Sequence, residues 1–159
     1  MVVLVLLIAG WLVFSRLSAA LSDRYESFYP SLADADKDRA ITRGWIPDEY
    51  LPRSSFSIQE VHDLSPSTEW CAFEFSPTDS QNLLTNLKHV EVLPLPLRHV
   101  PRSGVSWWPS VLVGDLNVEQ IHKSGFELYF AERPLNPVTT GYWLFAIDWS
   151  RGRGFFYFI

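Results

Sequence analysis

Two side chains with acid–base chemistry stand two positions apart in the stretch EVHD, Glu60 to Asp63. If this stretch is a β-strand, Glu60 and His62 lie on one face, about 7 Å apart. A carboxylate and an imidazole so placed could share a metal ion or a proton, as in a hydrolase or a metal-dependent enzyme. The simpler interpretation is an exposed polar face on a half-buried strand, and the sequence favours it.

Other patterns typical of catalysis are missing from the sequence. It contains no GxSxG, no SxxK and no glycine-rich phosphate loop. Cys71 is the sole cysteine, and its strand-like apolar surroundings indicate a small buried side chain. His89, His99 and His122 do not have the spacing of HExxH or of a zinc finger. We therefore predict no catalytic residue, no metal and no cofactor.

The best candidate for binding is the stretch SWWPS, where two adjacent tryptophans precede a proline. Trp107 and Trp108 could form a platform for a glycan, a lipid headgroup or a partner protein. Arg98 and Arg102, shortly before them, add two cations that suit an anionic headgroup. In the alternative interpretation, one indole fills the core and the other covers its rim.

Strand and helix patterns alternate along the rest of the chain. FSIQEVHDL and EWCAFEF are predicted strands joined by the turn SPST, and FELYFA, YWLFAIDW and FFYFI are aromatic-rich strands. Capping residues predict helices in SLADADKDRAITRG, SPTDSQNLLTNLKHV and NVEQIHKSG. The predicted fold class is α+β, an antiparallel sheet of about five strands with two or three helices packed on it.

The stretch RGWIPDEYLPRSS is predicted to be extended and to cover the rim of the sheet. Gly44 ends the first predicted helix, and Pro47 and Pro52 prevent the helix from continuing. Trp45 and Tyr50 then lie on an extended segment that packs on the sheet without joining its hydrogen-bonded ladder.

Residues 1–21 are apolar except for a few small or polar positions and the single charge of Arg16. As a helix, residues 2–21 would be about 30 Å long, which matches the hydrocarbon thickness of a bilayer. A secretory signal is the alternative, since LSAALS offers small residues for cleavage, but a basic first region is missing. We predict a retained transmembrane helix, with these anchor residues: Val2, Leu6, Trp11, Phe14 and Arg16.

The predicted organisation is an anchor (1–21), a tether (22–30) that could equally pack on the domain, and one globular domain (31–159). The formal net charge is -5, so nucleic acid is excluded as a partner. Arg16 and Arg24 follow the apolar run and favour a cytoplasmic domain by the positive-inside rule. An N-terminal apolar segment more often directs export, so we predict a single-pass membrane protein with a periplasmic or extracellular domain.

The order of these features resembles an uncharacterised family of small bacterial membrane-anchored or exported proteins, over roughly residues 29–158. The resemblance rests on the motifs GW-x-P, LP, E-x-H-D, WWP and GF-x-LY. The residues that match are Gly44, Trp45 and Pro47; Leu51 and Pro52; Glu60, His62 and Asp63; Trp107, Trp108 and Pro109; and Gly125, Phe126, Leu128 and Tyr129. The resemblance implies a membrane-attached domain and no assigned activity.

Three functional hypotheses follow from the sequence. The first is a non-catalytic accessory or scaffolding subunit of a larger membrane protein complex, whose partners are another integral membrane protein and the lipid bilayer. The second is an exported or anchored domain that binds a lipid headgroup or a glycan at the WWP segment. The third is an enzyme, a hydrolase or a metal-dependent one, that uses Glu60 and His62.

Overall fold

The computed structural model describes residues 23–64 and 67–159. Within this part of the chain, seven strands form one antiparallel sheet. They are β1 (Arg24–Ser31), β2 (Phe56–Leu64), β3 (Ser67–Glu74), β4 (Lys88–His89), β7 (Glu127–Asn136), β8 (Thr139–Asp148) and β9 (Arg153–Phe158). Their order across the sheet is β1-β2-β3-β9-β8-β7-β4. Two short strands, β5 (His99–Val100) and β6 (Gly114–Asp115), pair separately.

The helices are short. They are α1 (Leu32–Lys37), α2 (Gln81–Asn86) and α3 (Val118–Lys123), with two 3-10 turns at Leu95–Leu97 and Ser110–Leu112. The predicted α+β fold class is therefore wrong: the described residues form a β-rich fold, built on one large sheet. In the described residues no helix has the length and apolar character needed to cross a membrane. The stretch predicted as the anchor, with its five anchor residues, lies outside the described part of the chain.

The helices are shorter than predicted. α1 and α3 have the side-chain caps that the sequence indicates, whereas α2 begins only at Gln81 and has no side-chain cap hydrogen bond. Ser31 caps α1 through a hydrogen bond from the Asp34 amide, as the sequence indicates. The helix ends at Lys37, and the chain continues in turns in which Arg39 and Gly44 both have positive φ. Packing on the sheet, rather than a longer helix, then buries the apolar residues of this region.

Residues 22–30, predicted as a tether or as a segment packed on the domain, contain most of strand β1. This strand pairs antiparallel with β2, with Tyr25 opposite His62 and Ser27 opposite Glu60. Of the two interpretations, packing on the domain describes this segment. It places β1 at an edge of the sheet and beside the EVHD stretch.

Both faces of the sheet are covered, because alternate residues of the central strands are apolar on both sides. The first face, which includes Phe73, Phe145 and Phe156, packs under residues from α1, α2 and the cover segment, residues 38–55. The second face, which includes Trp70 and Tyr157, packs under residues 90–126. The cover segment lies over the face that carries Glu60 and His62, so RGWIPDEYLPRSS packs on the sheet as predicted. The prediction that it is extended is wrong, because the segment is a series of turns closed by local backbone hydrogen bonds.

Candidate functional site: a buried polar cleft at His62

Four side chains with polar or reactive groups form a block on the first face of the sheet. In the β2–β3 pair, Glu60 lies opposite Cys71 and His62 lies opposite Glu69. Residues of a strand two positions apart share a face, so all four point to the same side. Their exposed fractions are only 1% for Glu60, 0% for Cys71 and 4% for both His62 and Glu69. The interpretation of EVHD as an exposed polar face is therefore wrong.

Glu60 and His62 contact each other directly. The distance from His62 Nδ1 to Glu60 Oε1 is 2.6 Å, and the pair is buried. Burial raises the pKa of Glu60 to about 8, while the Ser27 hydroxyl acts in the opposite direction. Burial also lowers the pKa of His62; nearby Asp63 raises it and Arg43 lowers it further. The pair is therefore electrically neutral as a unit at neutral pH.

Because the pair is neutral, the protonation of His62 Nε2 can be assigned. If the carboxyl of Glu60 holds the shared proton, it donates to Nδ1, and the single N–H proton of the neutral imidazole lies on Nε2. If the shared proton moves to Nδ1, the imidazole is charged and Nε2 again carries a proton. In both arrangements, His62 presents an Nε2–H donor on the side away from Glu60. This atom is buried and has no hydrogen-bond partner within residues 23–64 and 67–159.

Two aromatic rings hold the imidazole of His62 in place. Tyr25 of β1 stacks on it with 5.2 Å between ring centroids, and Trp45 of the cover segment lies 4.2 Å away. The guanidinium group of Arg43 lies over the Trp45 ring, 4.7 Å from its centroid. The ring orientation of His62 is thus set by packing as well as by Glu60.

Gly44 lets a second arginine approach the cover segment. It has a φ of +78°, and Arg133 of β7 donates from Nη1 to its carbonyl oxygen at 3.3 Å. A Cβ atom at this position would lie 2.8 Å from both terminal nitrogens of Arg133. The glycine in GW-x-P is therefore required both for the turn and for the contact between the cover segment and β7.

These elements enclose a cleft of about 230 Å³, which we call the His62 cleft. Its polar wall includes His62, Glu69, Arg43 and Arg133. Glu69 Oε1 is buried and has no hydrogen-bond partner in the described chain. Burial raises the pKa of Glu69 well above its ordinary value; Glu60, when ionised, adds to this shift and Arg133 opposes it. The shift favours the protonated carboxyl of Glu69, and a protonated carboxyl can donate a hydrogen bond.

The negative charge at this cleft is already paired. Asp63 lines the cleft as well, and its Oδ1 lies 3.6 Å from Nη1 of Arg24. Arg43 and Arg133 are exposed at the mouth. With the buried acids neutral, the cleft combines two cationic groups with inward donors, and this combination suits an oxyanion.

Metal binding has no support in the described residues. No group of three or more His, Cys, Asp or Glu side chains in residues 23–64 and 67–159 could hold a metal ion. His89 and His122 stack at 6.3 Å, and His99 pairs with Asp115 at 2.8 Å, which are two separate places. The fold thus brings His89 and His122 together and leaves His99 elsewhere.

The predicted binding residues of the WWP segment lie on the second face. Trp108 is buried, donates from Nε1 to the Leu112 carbonyl and packs edge-on against Phe155. Trp107 is half-buried and contacts Trp108. This is the arrangement of the alternative interpretation, with one indole in the core and one at its rim.

The two arginines of the predicted WWP site do not share one place. Arg102 is exposed and lines an open cleft of about 580 Å³ together with Trp108. Arg98 donates from Nε to the Leu93 carbonyl at 3.2 Å and, like Trp107, does not line the described wall of that cleft. A binding role for Trp107, Trp108, Arg98 and Arg102 stays a prediction.

The sequence indicates part of the His62 cleft, because it predicts that β2 and β3 form a hairpin. Leu64 pairs with Ser67, so His62, two positions before Leu64, lies opposite Glu69, two positions after Ser67. The contribution of Arg133 has no such signal, because this residue is 89 positions away from Gly44 in the chain.

One family model, described as the YbbD head domain, matches residues 23–74. No curated protein and no solved structure matches the chain. The match spans about a third of the sequence and includes β1, the cover segment, β2 and β3, but not β7 or β9. It supports the resemblance to an uncharacterised bacterial family over this part of the chain.

Proposed function

We propose that this domain is a binding module for a small oxyanion, which it holds in the His62 cleft. The observation that carries the proposal is the pair of buried atoms without partners, His62 Nε2 and Glu69 Oε1, in a cleft whose mouth carries Arg43 and Arg133. A buried polar atom without a partner destabilises the folded state, and a ligand that accepts its hydrogen bond relieves that effect.

The groups around the cleft act together on an anion. The guanidinium groups supply charge-assisted hydrogen bonds at the mouth, and a planar guanidinium matches a carboxylate or a phosphate. His62 and neutral Glu69 donate from inside the cleft. Glu60 acts through His62: it occupies Nδ1, so that Nε2 carries a proton and remains without a partner in the described chain.

Two of the sequence motifs supply residues of the proposed anion site. GW-x-P supplies Gly44 and Trp45, which form the roof of the cleft, and E-x-H-D supplies Glu60, His62 and Asp63. A chain that carries both motifs would thus share the roof and the His62 pair. A role as an accessory subunit of a membrane complex and headgroup or glycan binding at the WWP segment stay predictions from the sequence.

Isothermal titration calorimetry of the full-length chain in mild detergent tests the proposal, with sodium phosphate, sulfate and acetate as probes at low ionic strength. We expect saturable binding of at least one of these anions. Arg43→Gln and Arg133→Gln should each weaken it about tenfold or more, because a hydrogen bond to a charged group contributes about 1.5–3 kcal/mol.

Arg102→Gln is the matched control, since it removes one exposed cation beside the WWP cleft. It should leave the affinity unchanged. If no anion binds, or if Arg102→Gln weakens binding while Arg43→Gln and Arg133→Gln do not, the His62 cleft is not the anion site. The second result would instead support the WWP segment.

A further inference from the structure

We propose that the natural ligand of the His62 cleft is an oxyanion that carries a short aliphatic chain. This inference rests on the proposed function and adds the chemical class of the ligand. Its basis is that the cleft is lined by apolar as well as polar side chains. Besides the donors and cations described above, Leu64, Leu135 and Phe158 line it.

Two of the apolar residues that line the cleft are exposed to solvent. Leu64, the last residue of β2, is 54% exposed, and Leu135, near the end of β7, is 50% exposed. The two side chains come from different strands and line the same cleft as His62. A ligand with only polar groups would leave both in contact with water, whereas an aliphatic chain would bury them.

Phe158 lies beside Glu69 in the sheet. It is 8% exposed, lies opposite Glu69 in the β3–β9 pair, and packs against Trp143 with 4.4 Å between centroids. The lining of the cleft therefore changes from carboxyl to aromatic ring across a single cross-strand pair. An anionic head at Glu69 would place an attached chain over Phe158.

The size of the cleft limits the length of this chain. A volume of about 230 Å³ holds about eight groups of the size of a water molecule, at roughly 30 Å³ each. A carboxylate head takes three of them and leaves room for about five carbons. A six-carbon alkanoate is thus the longest one expected to be buried whole.

Two heads share the required chemistry, a carboxylate and a phosphate monoester, and both accept several hydrogen bonds from guanidinium groups. The test therefore uses two series. Acetate, butyrate and hexanoate form one, and methyl, butyl and hexyl phosphate form the other. All are titrated into the full-length chain by calorimetry, well below concentrations at which they form micelles. The series that binds more tightly at equal chain length identifies the head.

We expect the affinity to rise about two- to fourfold for each added methylene and then to level off. The rise should end at about six carbons for the alkanoates and at about three for the alkyl phosphates, whose head takes five of the eight groups. The upper value corresponds to about 0.8 kcal/mol for each fully buried methylene. Leu64→Ser and Leu135→Ser should each reduce this increase without changing the affinity for acetate or methyl phosphate. Leu84→Ser, on α2 and 55% exposed, is the control and should keep the increase.

The results separate this inference from the proposed function. If acetate or methyl phosphate binds and longer chains bind no more tightly, the cleft is an anion site without a chain, and the inference is overturned while the proposed function stands. The same holds if Leu84→Ser reduces the increase as much as the cleft variants do. If no member of either series binds, both fail. Circular dichroism in the near ultraviolet confirms that each variant is folded.

Discussion

Replacement of Glu60 with glutamine should remove one titrating group from the pH dependence of stability. Glutamine has nearly the same shape, and its side-chain amide can donate to His62 Nδ1 as a protonated carboxyl does. The fold and the orientation of His62 should therefore persist. What changes is that the buried group at position 60 no longer ionises.

The size of the effect follows from the two pKa values of Glu60. Its ordinary value is 4.5, and burial raises the pKa to about 8 in the folded protein. Between these values the folded chain holds one proton that the unfolded chain has released, so stability is highest at low pH and falls as pH rises towards 8. One full proton corresponds to about 1.4 kcal/mol per pH unit. For Glu60 the loss between about pH 6.5 and pH 8 is about 2 kcal/mol.

Glu69 and His62 also have shifted pKa values, so the measurement must separate their effects from that of Glu60. The pKa of Glu69 is also raised, so Glu69 adds a loss of the same sign, but it is present in both proteins. The pKa of His62 is lowered, so that its effect has the opposite sign and is confined to pH values below its ordinary 6.5. The prediction therefore concerns the difference in slope between the two proteins above about pH 6.5.

Urea unfolding of the full-length chain in mild detergent, followed by near-ultraviolet circular dichroism, measures the free energy of unfolding at each pH. We expect the slope of Glu60→Gln to be shallower than that of the wild type by about 1.4 kcal/mol per pH unit below pH 8. Glu119→Gln, on the exposed side of α3, should keep the wild-type slope. Equal slopes for wild type and Glu60→Gln would refute the assignment of a buried, protonated Glu60.

Three further predictions concern the packing of the sheet. Gly154→Ala should lower the free energy of unfolding by about 1–3 kcal/mol in urea titrations, because a Cβ at position 154 would overlap the buried ring of Phe73 across the strand pair. Trp108→Ala should lower it by about 3–5 kcal/mol, and Trp107→Ala by clearly less; equal small losses would show that neither indole belongs to the core. Burial raises the pKa of the Cys71 thiol well above its ordinary value, so a water-soluble disulfide reagent should react with it only in denaturant.

The sequence predicts the sheet better than it predicts the helices. Alternation places Trp143, Phe145 and Ile147 on one face, and this is confirmed, as are the strands around them. Successive side chains of a strand point to opposite faces, so the face of each residue follows once the strand is recognised. Helix caps are weaker evidence, since a cap shows where a helix begins but not how far tertiary contacts let it continue.

The His62 cleft was only half predictable. Spacing alone places Glu60 and His62 on the same face, and that is correct. Whether this face meets solvent or protein depends on what covers it, and the cover comes from two segments: Trp45 precedes the strand, and Arg133 follows it by some seventy residues. A pattern of neighbouring residues contains no information on such long-range contacts. The sequence therefore favours an exposed polar face, although Glu60 and His62 are both buried.

The family match covers only some of the residues that form the His62 cleft, and this limits what the match means for function. Residues 23–74 include the Glu60–His62 pair, Glu69, Arg43 and Trp45, so the matched part contains the inward donors and the roof. Arg133, Leu135 and Phe158 come from β7 and β9, outside the matched part. These residues supply the second cation and two of the three apolar side chains that line the cleft. A protein that carries Glu60 and His62 in such a segment would keep the proton-sharing pair, and under our proposal the strands that complete its sheet would decide which ligand it binds.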